Sequence, residues 1–404
     1  MVDIRGFKGI RPKNDLAGRI SDLPYDVVNT EEARNIVQKE NLSFLKIDRA
    51  EVNFPNIEFN NPKVYLKAKE LIEEYLDKDL FKVDNKEDIY VYELTFEGRV
   101  QYGLVCLSSV EDYLNENIKI HEYTLPEKEI DRTTHIDITG YHTGPIFLLY
   151  RKKKKIADII EKTVREVKPR FDFTTDKGVR HRGYIVENPE DIIEAFKEVD
   201  NTYIADGHHR CKSAVNVYLK RKQENRLTEG SKYFLSVIFP TDEVRILPYN
   251  RHVLDLGELT ETEFIEKIKK NFVVQEIEDE LKPTKKYEIT MYMGNKFYKL
   301  NIKEGLIEDN ILDRLDVSVI QKYIFDEILH IKDPRNDKRL DFIGGINGVD
   351  YLVDKVNKKG GAAFIMYPTT VDELLEVADD KKVMPPKSTW FEPKLNSGLF
   401  IHKL

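Results

Sequence analysis

Apolar residues recur at helical spacing over residues 31–39, 63–80, 152–166, 189–198, 260–270, 348–355 and 370–378, which predicts a helix at each and another near 317–330. Asn29 or Thr30 stands where the first of these needs an N-cap. Short apolar runs predict strands at 43–47, 144–150, 184–186, 203–206, 234–239, 245–249 and 362–366, and residues 4–12 read as a short strand and turn. Two hairpins are expected: 89–95 with 101–107 across Phe96-Glu97-Gly98-Arg99, and 287–293 with 297–302 across Gly294-Asn295. Their likeness suits two related sub-domains, and common hairpin chemistry accounts for it nearly as well. Strands and helices alternate without the steady period of a doubly wound sheet, so the fold class expected is mixed α+β.

The chain of 404 residues is longer than the roughly 250–300 at which single cores stop growing, so two or more lobes are expected. No Gly-, Ser- or Pro-rich linker marks where they divide. The 64 basic and 72 acidic residues leave a net charge of -8 with no long single-sign domain, so nucleic acid is not an expected partner. The strongest apolar runs, 145–150 and 362–367, are strand-length, against about 20 residues for a membrane-crossing helix. No membrane partner is expected. Met1-Val2-Asp3-Ile4-Arg5 has no apolar secretory core behind it, and Cys106 and Cys211 show neither a disulfide framework nor zinc spacing. A reducing cytoplasm fits these features best.

Candidate chemistry concentrates at Tyr203-Ile204-Ala205-Asp206-Gly207-His208-His209-Arg210, where an apolar strand ends and the helical pattern of 211–222 begins. A strand that stops at Gly and opens a helix presents unpaired amides and the positive end of a helix dipole, here with Arg210 beside them. That is a seat for phosphate. Asp206 stands next to it, able to hold a magnesium ion or take a proton. The competing reading is a turn in which Asp206 caps the helix and the histidines make local hydrogen bonds. Metal binding by adjacent histidines is disfavoured, because neighbouring helical side chains point about 100° apart.

A second constellation runs from His121 to Arg132: His121-Glu122-Tyr123-Thr124, then Lys128, Asp131 and Arg132. It brings a base, carboxylates, a hydroxyl and cations within twelve residues, although such charge density also suits a solvated loop and helix start. A third, Met384-Pro385-Pro386-Lys387-Ser388-Thr389 continuing through Trp390 to Lys394, is stiffened by proline and reads either as a binding loop or as an anchored tail. Weaker candidates are Arg11, Tyr25 and Asp26, the triplet Arg180-His181-Arg182, and Arg251-His252.

The Asp206-to-Arg210 box followed by a helix resembles the nucleotide-phosphate box of the ParB/sulfiredoxin-like fold, shared by ParB nucleotidases, sulfiredoxin and free-serine kinases. Leu23-Pro24-Tyr25-Asp26-Val27-Val28-Asn29, the His121–Thr124 run with Lys128, Asp131 and Arg132, Gly144-Pro145-Ile146-Phe147, and Met384 to Thr389 resemble one prokaryotic member family of that group. The resemblance implies a nucleotide-binding core over 1–250 and an additional α+β lobe over 251–404 whose C-terminal loop returns to the active site. It further implies Asp206, Glu122 and His121 as catalytic residues, with Asp206 and Glu122 holding Mg2+. Gly207, His208, His209, Arg210, Lys128 and Arg132 would bind phosphate, and Lys387, Ser388, Thr389 and Lys394 the substrate. The activity implied is transfer of phosphate from ATP or ADP to free L-serine. Hydrolysis of phosphoserine or a nucleotide at the same site, and a non-enzymatic ParB-like clamp, stand as alternatives. A homodimer is compatible with each.

Overall fold

The computed structural model describes residues 1–404, which divide into two compact units: 1–244 with 393–404, and 245–392. The first cut falls six residues before the boundary expected between 250 and 251, and the last twelve residues belong to the first unit. Both units are mixed α+β, as the periodicity predicts.

The first unit is built on a nine-stranded sheet. Its strands run in the order Ile118–Lys119, Thr202–Asp206, Ile146–Tyr150, Tyr233–Pro240, Arg99–Ser109, Tyr90–Phe96, Arg180–Ile185 and Phe171–Thr174, with Ile4–Arg5 added beside Arg99–Ser109. Tyr90–Phe96 and Arg99–Ser109 form the expected hairpin, and the positive φ of Glu97 (48°) and Gly98 (75°) is what a tight two-residue turn requires. Ile146–Tyr150 and Tyr233–Pro240 are buried along their whole length, so they read as continuous apolar runs rather than as alternating ones. Leu148, Tyr150, Ile204, Phe234 and Ile238 all enter one core with Ile156, Ile160 and Phe196 from the covering helices. A second core gathers Ile20, Phe44 and Ile47 against Val64, Ala68, Leu71 and Ile72 of the helix Pro62–Asp77.

The second unit has a six-stranded sheet in the order Phe272–Ile277, Lys296–Ile302, Glu288–Met293, Ala362–Ile365, Tyr249–Val253 and Leu340–Gly344. Its expected hairpin turns at Gly294 and Asn295, at φ of 58° and 60°. The helices Glu261–Ile268 and Val371–Asp379 each open with a Thr capping box, Thr260 with Glu263 and Thr370 with Glu373.

Three expectations are corrected. Residues 43–47 are not a strand: Ser43 Oγ accepts from Leu45 N at 3.2 Å and starts the short helix Leu45–Asp48, whose apolar residues are buried by the surrounding core. Residues 245–249 are two strands, Ile246–Leu247 and Tyr249–Val253, because Pro248 between them has no N–H to give to a ladder. The helix near 317–330 is Asp316–Ile320 continued by a wider π-type turn, Gln321–Asp326.

Burial of neutral histidines sets an acid limit on the first unit. Burial pushes His121, His135 and His402 down to about 4 and His181 to about 3. Unfolded imidazoles protonate near 6.5, so between about pH 6.5 and 4 the unfolded chain binds more protons and stability falls as pH falls. Asp316 in the second unit, which burial raises to about 7, acts in the opposite sense: its contribution is lost as pH rises. Burial also lowers His142, His208 and His252, and it raises Asp22, Asp88 and Glu243 along with Asp316. Seven histidines outweigh four carboxyls, so the urea midpoint is expected to be lower at pH 5 than at pH 7.5. An equal or higher midpoint at pH 5 would refute this.

Candidate functional site

The strand Thr202–Asp206 carries a bulge between Ile204 and Asp206, which takes Asp206 out of the regular register at the strand end. Gly207 follows at φ +93°, and the 16-residue helix His208–Gln223 begins at once. Glycine is required there on two counts. Its φ is left-handed, and a Cβ would stand 3.1 Å from Cζ of Arg210, whose guanidinium folds back over the junction. Gly207→Ala is therefore expected to cost about 1–3 kcal/mol of stability and to displace Arg210; an unchanged melting temperature would contradict it.

Arg210 is buried, and Nη1 donates to the Pro145 carbonyl. Nη2 lies 3.9 Å from Asp206 Oδ2. Its Nε is buried with no partner at all. Asp206 accepts from Lys394 Nζ at 3.1 Å and, through Oδ1, from Gly207 N at 2.8 Å. Burial alone would raise this carboxyl, but Lys394 and Arg210 overcome it and hold it well below the usual carboxylate range. Asp206 is thus ionised at any working pH.

A second buried cation sits on the helix Pro126–Thr139, which is fixed beside His208–Gln223 by Asp137 pairing with Lys220 and Arg221 and by Ser213 bonding the Glu129 carbonyl. Its Arg132 donates to Asp131 at 2.7 Å and to the Asp48 carbonyl at 3.2 Å, and lies 4.1 Å over the Tyr25 ring. Asp131 also accepts from Tyr65 at 2.9 Å, and Thr143 donates to Asp48 at 2.6 Å. Tyr25 Oη, like Arg210 Nε, is buried and unpartnered. Burial, together with Asp26, raises the Tyr25 phenol despite the opposing influence of Arg132 and Arg210, so it stays a neutral donor. Tyr25 is near enough to both guanidinium groups to be affected by each, as Arg210 is by Asp26 and Asp48.

The histidines have other work. His208 Nε2 accepts from His121 N at 3.4 Å, and His209 Nε2 accepts from Leu125 N at 3.0 Å. Both rings therefore hold the 121–125 segment against the helix, over a long chain separation rather than locally. His121 packs edge-on against His208 at 4.5 Å between ring centres, and burial keeps both neutral. Glu122 is half-buried in the segment so held, and Lys128 is exposed on the first turn of the following helix.

The structure thus brings together Tyr25, Arg132, Asp206, Gly207 and Arg210, with Lys394 reaching Asp206 from the C-terminal stretch of the same unit. Lys387, Ser388 and Thr389 belong to the second unit, where the Ser388 hydroxyl donates to the Pro385 carbonyl at 2.6 Å and its carbonyl accepts from Thr369 at 3.0 Å. Arg11 is a bidentate partner of Asp84, Arg180 pairs with Asp172 and Arg182 with Glu93, and His181 is stacked on Phe173 at 4.9 Å, so these candidates are structural. Asp48, Thr143 and Tyr65 join the network without a motif to mark them. No group of three or more His, Cys, Asp or Glu side chains converges as a metal cage. Magnesium commonly takes only one or two carboxylates and shares the rest with phosphate and water, and ionised Asp206 fits that use. A separate cavity of about 470 Å³ in the first unit, lined among others by Arg5, Phe7, Tyr233 and His402, contains none of the expected site residues.

The chain belongs to the family described as protein of unknown function (DUF1015), whose profile matches residues 4–318 and so includes the Asp206–Arg210 junction but not residues 384–394. No curated protein matches it. Among solved structures it is similar to a free serine kinase in complex with AMP, at 15% identity and a TM-score of 0.36 over 72% of this chain and 86% of that one. It is similar also to a conserved hypothetical protein from Pyrococcus furiosus, at 16% identity and TM-score 0.34 over 74% and 93%. A third is SbnI with C-terminal truncation from Staphylococcus aureus, at 11% and 0.38 over 72% and 84%. Likenesses this distant leave the chemistry to be argued from the site itself. No helix is long and apolar enough to cross a membrane.

Proposed function

We propose that the first unit is a nucleotide-dependent phosphotransferase that moves a phosphoryl group from ATP or ADP to the hydroxyl of free L-serine. The observation that carries the phosphate part is the pair of buried, unpartnered donors, Arg210 Nε and Tyr25 Oη, beside the amino end of a 16-residue helix. Buried polar groups are nearly always satisfied, so two orphans next to the amides that open a helix call for an oxyanion. The acceptor class rests on the resemblance of the Asp206–Arg210 box to that of free-serine kinases.

Phosphoryl transfer needs cations around the migrating group and a carboxylate to orient the nucleophile. Arg210 and the amides of His208, His209 and Arg210 take the nucleotide phosphates, with Arg132 and Tyr25 on another side and exposed Lys128 at the entrance. Asp206, tied to Lys394, is too acidic to remove a proton at neutral pH; it is suited to hold Mg2+, which when bound neutralises phosphate charge. That leaves Glu122 as the base. His208 and His209 position the segment bearing it, and His121 buttresses His208. Lys394 is this unit's candidate for contact with the acceptor.

Phosphorus NMR of the full chain with Mg2+, L-serine and either ATP or ADP tests the reading. Phosphoserine, formed only when serine is present, is the expected product. Inorganic phosphate appearing at the same rate with and without serine would replace the kinase with a hydrolase, and an intact nucleotide in every mixture would overturn both.

A further inference from the structure

Arg251 lies on Tyr249–Val253, an inner strand of the second unit, and is 3% exposed. Its Nη1 donates to the Tyr249 carbonyl at 2.6 Å and Nη2 to the Lys387 carbonyl at 3.0 Å, while the guanidinium stacks 4.6 Å over the Phe342 ring. A guanidinium has five N–H donors, and two neutral carbonyls leave its charge uncompensated. No carboxylate acts on it; burial pulls it down to about 9, and the only group working against burial is Tyr249. The other buried arginines differ: Arg11 faces Asp84, Arg132 faces Asp131, Arg210 faces Asp206 and Arg221 faces Asp137. Arg251 is the exception to be explained.

A second cation belongs to the residue whose carbonyl Arg251 bonds. Lys387 follows two prolines at φ +55°, and its ammonium sits 5.7 Å from the centre of the Tyr249 ring. The Ser388 hydroxyl and Thr369 fasten this turn through carbonyls, and Trp390 packs edge-on to Tyr249 at 5.2 Å, against Gly344, where a Cβ would stand 2.6 Å from the indole. The result is a rigid turn with one buried and one exposed cation among aromatic rings. Such a set recognises an anion carried on a small apolar or planar body.

We propose that Arg251 and Lys387 form an oxyanion seat of the second unit, for the carboxylate or phosphate group of a small molecule. It is argued from that unit alone and does not rest on the phosphoryl-transfer reading. The full chain carrying Arg210→Ala, which weakens the first unit's seat, is the background for the test, and only a response that a substitution at Arg251 or Lys387 reduces is assigned to the second unit. Its melting temperature is followed against phosphate, malonate and chloride at matched ionic strength. Saturable stabilisation by phosphate or malonate but not chloride is expected, and whichever anion acts identifies the group recognised. Lys387→Ala, at an exposed position that should not disturb folding, is expected to weaken the response about tenfold, and Arg251→Met to abolish it. An equal response to all three anions, or one that neither substitution changes, would overturn the proposal and leave Arg251 as a clasp between strand and turn.

Discussion

Replacing Arg210 with alanine is expected to weaken adenine-nucleotide binding by roughly 30-fold or more while the protein stays folded. Arg210 spans the whole junction: it covers Gly207, approaches Asp206 at 3.9 Å, and bonds the carbonyl of Pro145. A charged donor facing a phosphate in a water-poor site is worth about 2–5 kcal/mol on truncation, against about 1 kcal/mol for a neutral hydrogen bond. The folded state loses less, because the guanidinium leaves behind an Asp206 still held by Lys394. Titration calorimetry of both proteins with ADP and Mg2+ separates the two effects, and a dissociation constant unchanged by the substitution would contradict the assignment. Lys128→Ala, at an exposed position on the first turn of the helix Pro126–Thr139, is expected to act mainly on the association rate and its salt dependence.

The largest loss of stability is expected from Asp131→Ala. Arg132 and Asp131 each have side chains only 10% exposed, and the carboxylate also accepts from Tyr65. Removing it leaves a buried guanidinium facing the Asp48 carbonyl and the Tyr25 ring, with no counter-charge at contact distance. Breaking a buried pair in this way costs about 3–5 kcal/mol, because desolvation of the surviving ion is no longer offset. Chemical denaturation reads this directly. Breaking the solvent-exposed Arg19–Glu40 pair serves as the contrast and should hardly move the midpoint, since water and salt screen it. Equal effects from the two substitutions would mean that the Asp131–Arg132 pair is not buried as described.

The elements that place the junction were legible because each was signalled locally: an apolar run for Thr202–Asp206, glycine at its end, and turn residues for both hairpins. Tyr25 and Asp26 were visible only as members of a short motif, and Asp48 was hidden in a segment whose apolar residues mimicked a strand. That mimicry is physical. Phe44, Leu45 and Ile47 are all buried, so a short helix in the core loses the polar face by which periodicity is recognised. The edge strands Phe171–Thr174 and Phe272–Ile277 escaped for the opposite reason, being interrupted by exposed polar residues. The two histidines showed that something was built at the junction, but not what: spacing alone does not tell a phosphate donor from an acceptor that pins a distant loop. Nor does sequence reveal that Lys394 is the partner of Asp206 across 188 residues.

A crystal of the full chain grown with ADP and Mg2+ tests most directly whether the Gly207 junction is an oxyanion cradle. The expected result is phosphate oxygens within hydrogen-bond distance of Arg210 Nε and of the amides that open the His208–Gln223 helix. A nucleotide bound elsewhere, with Arg210 still folded over an empty junction, would contradict it.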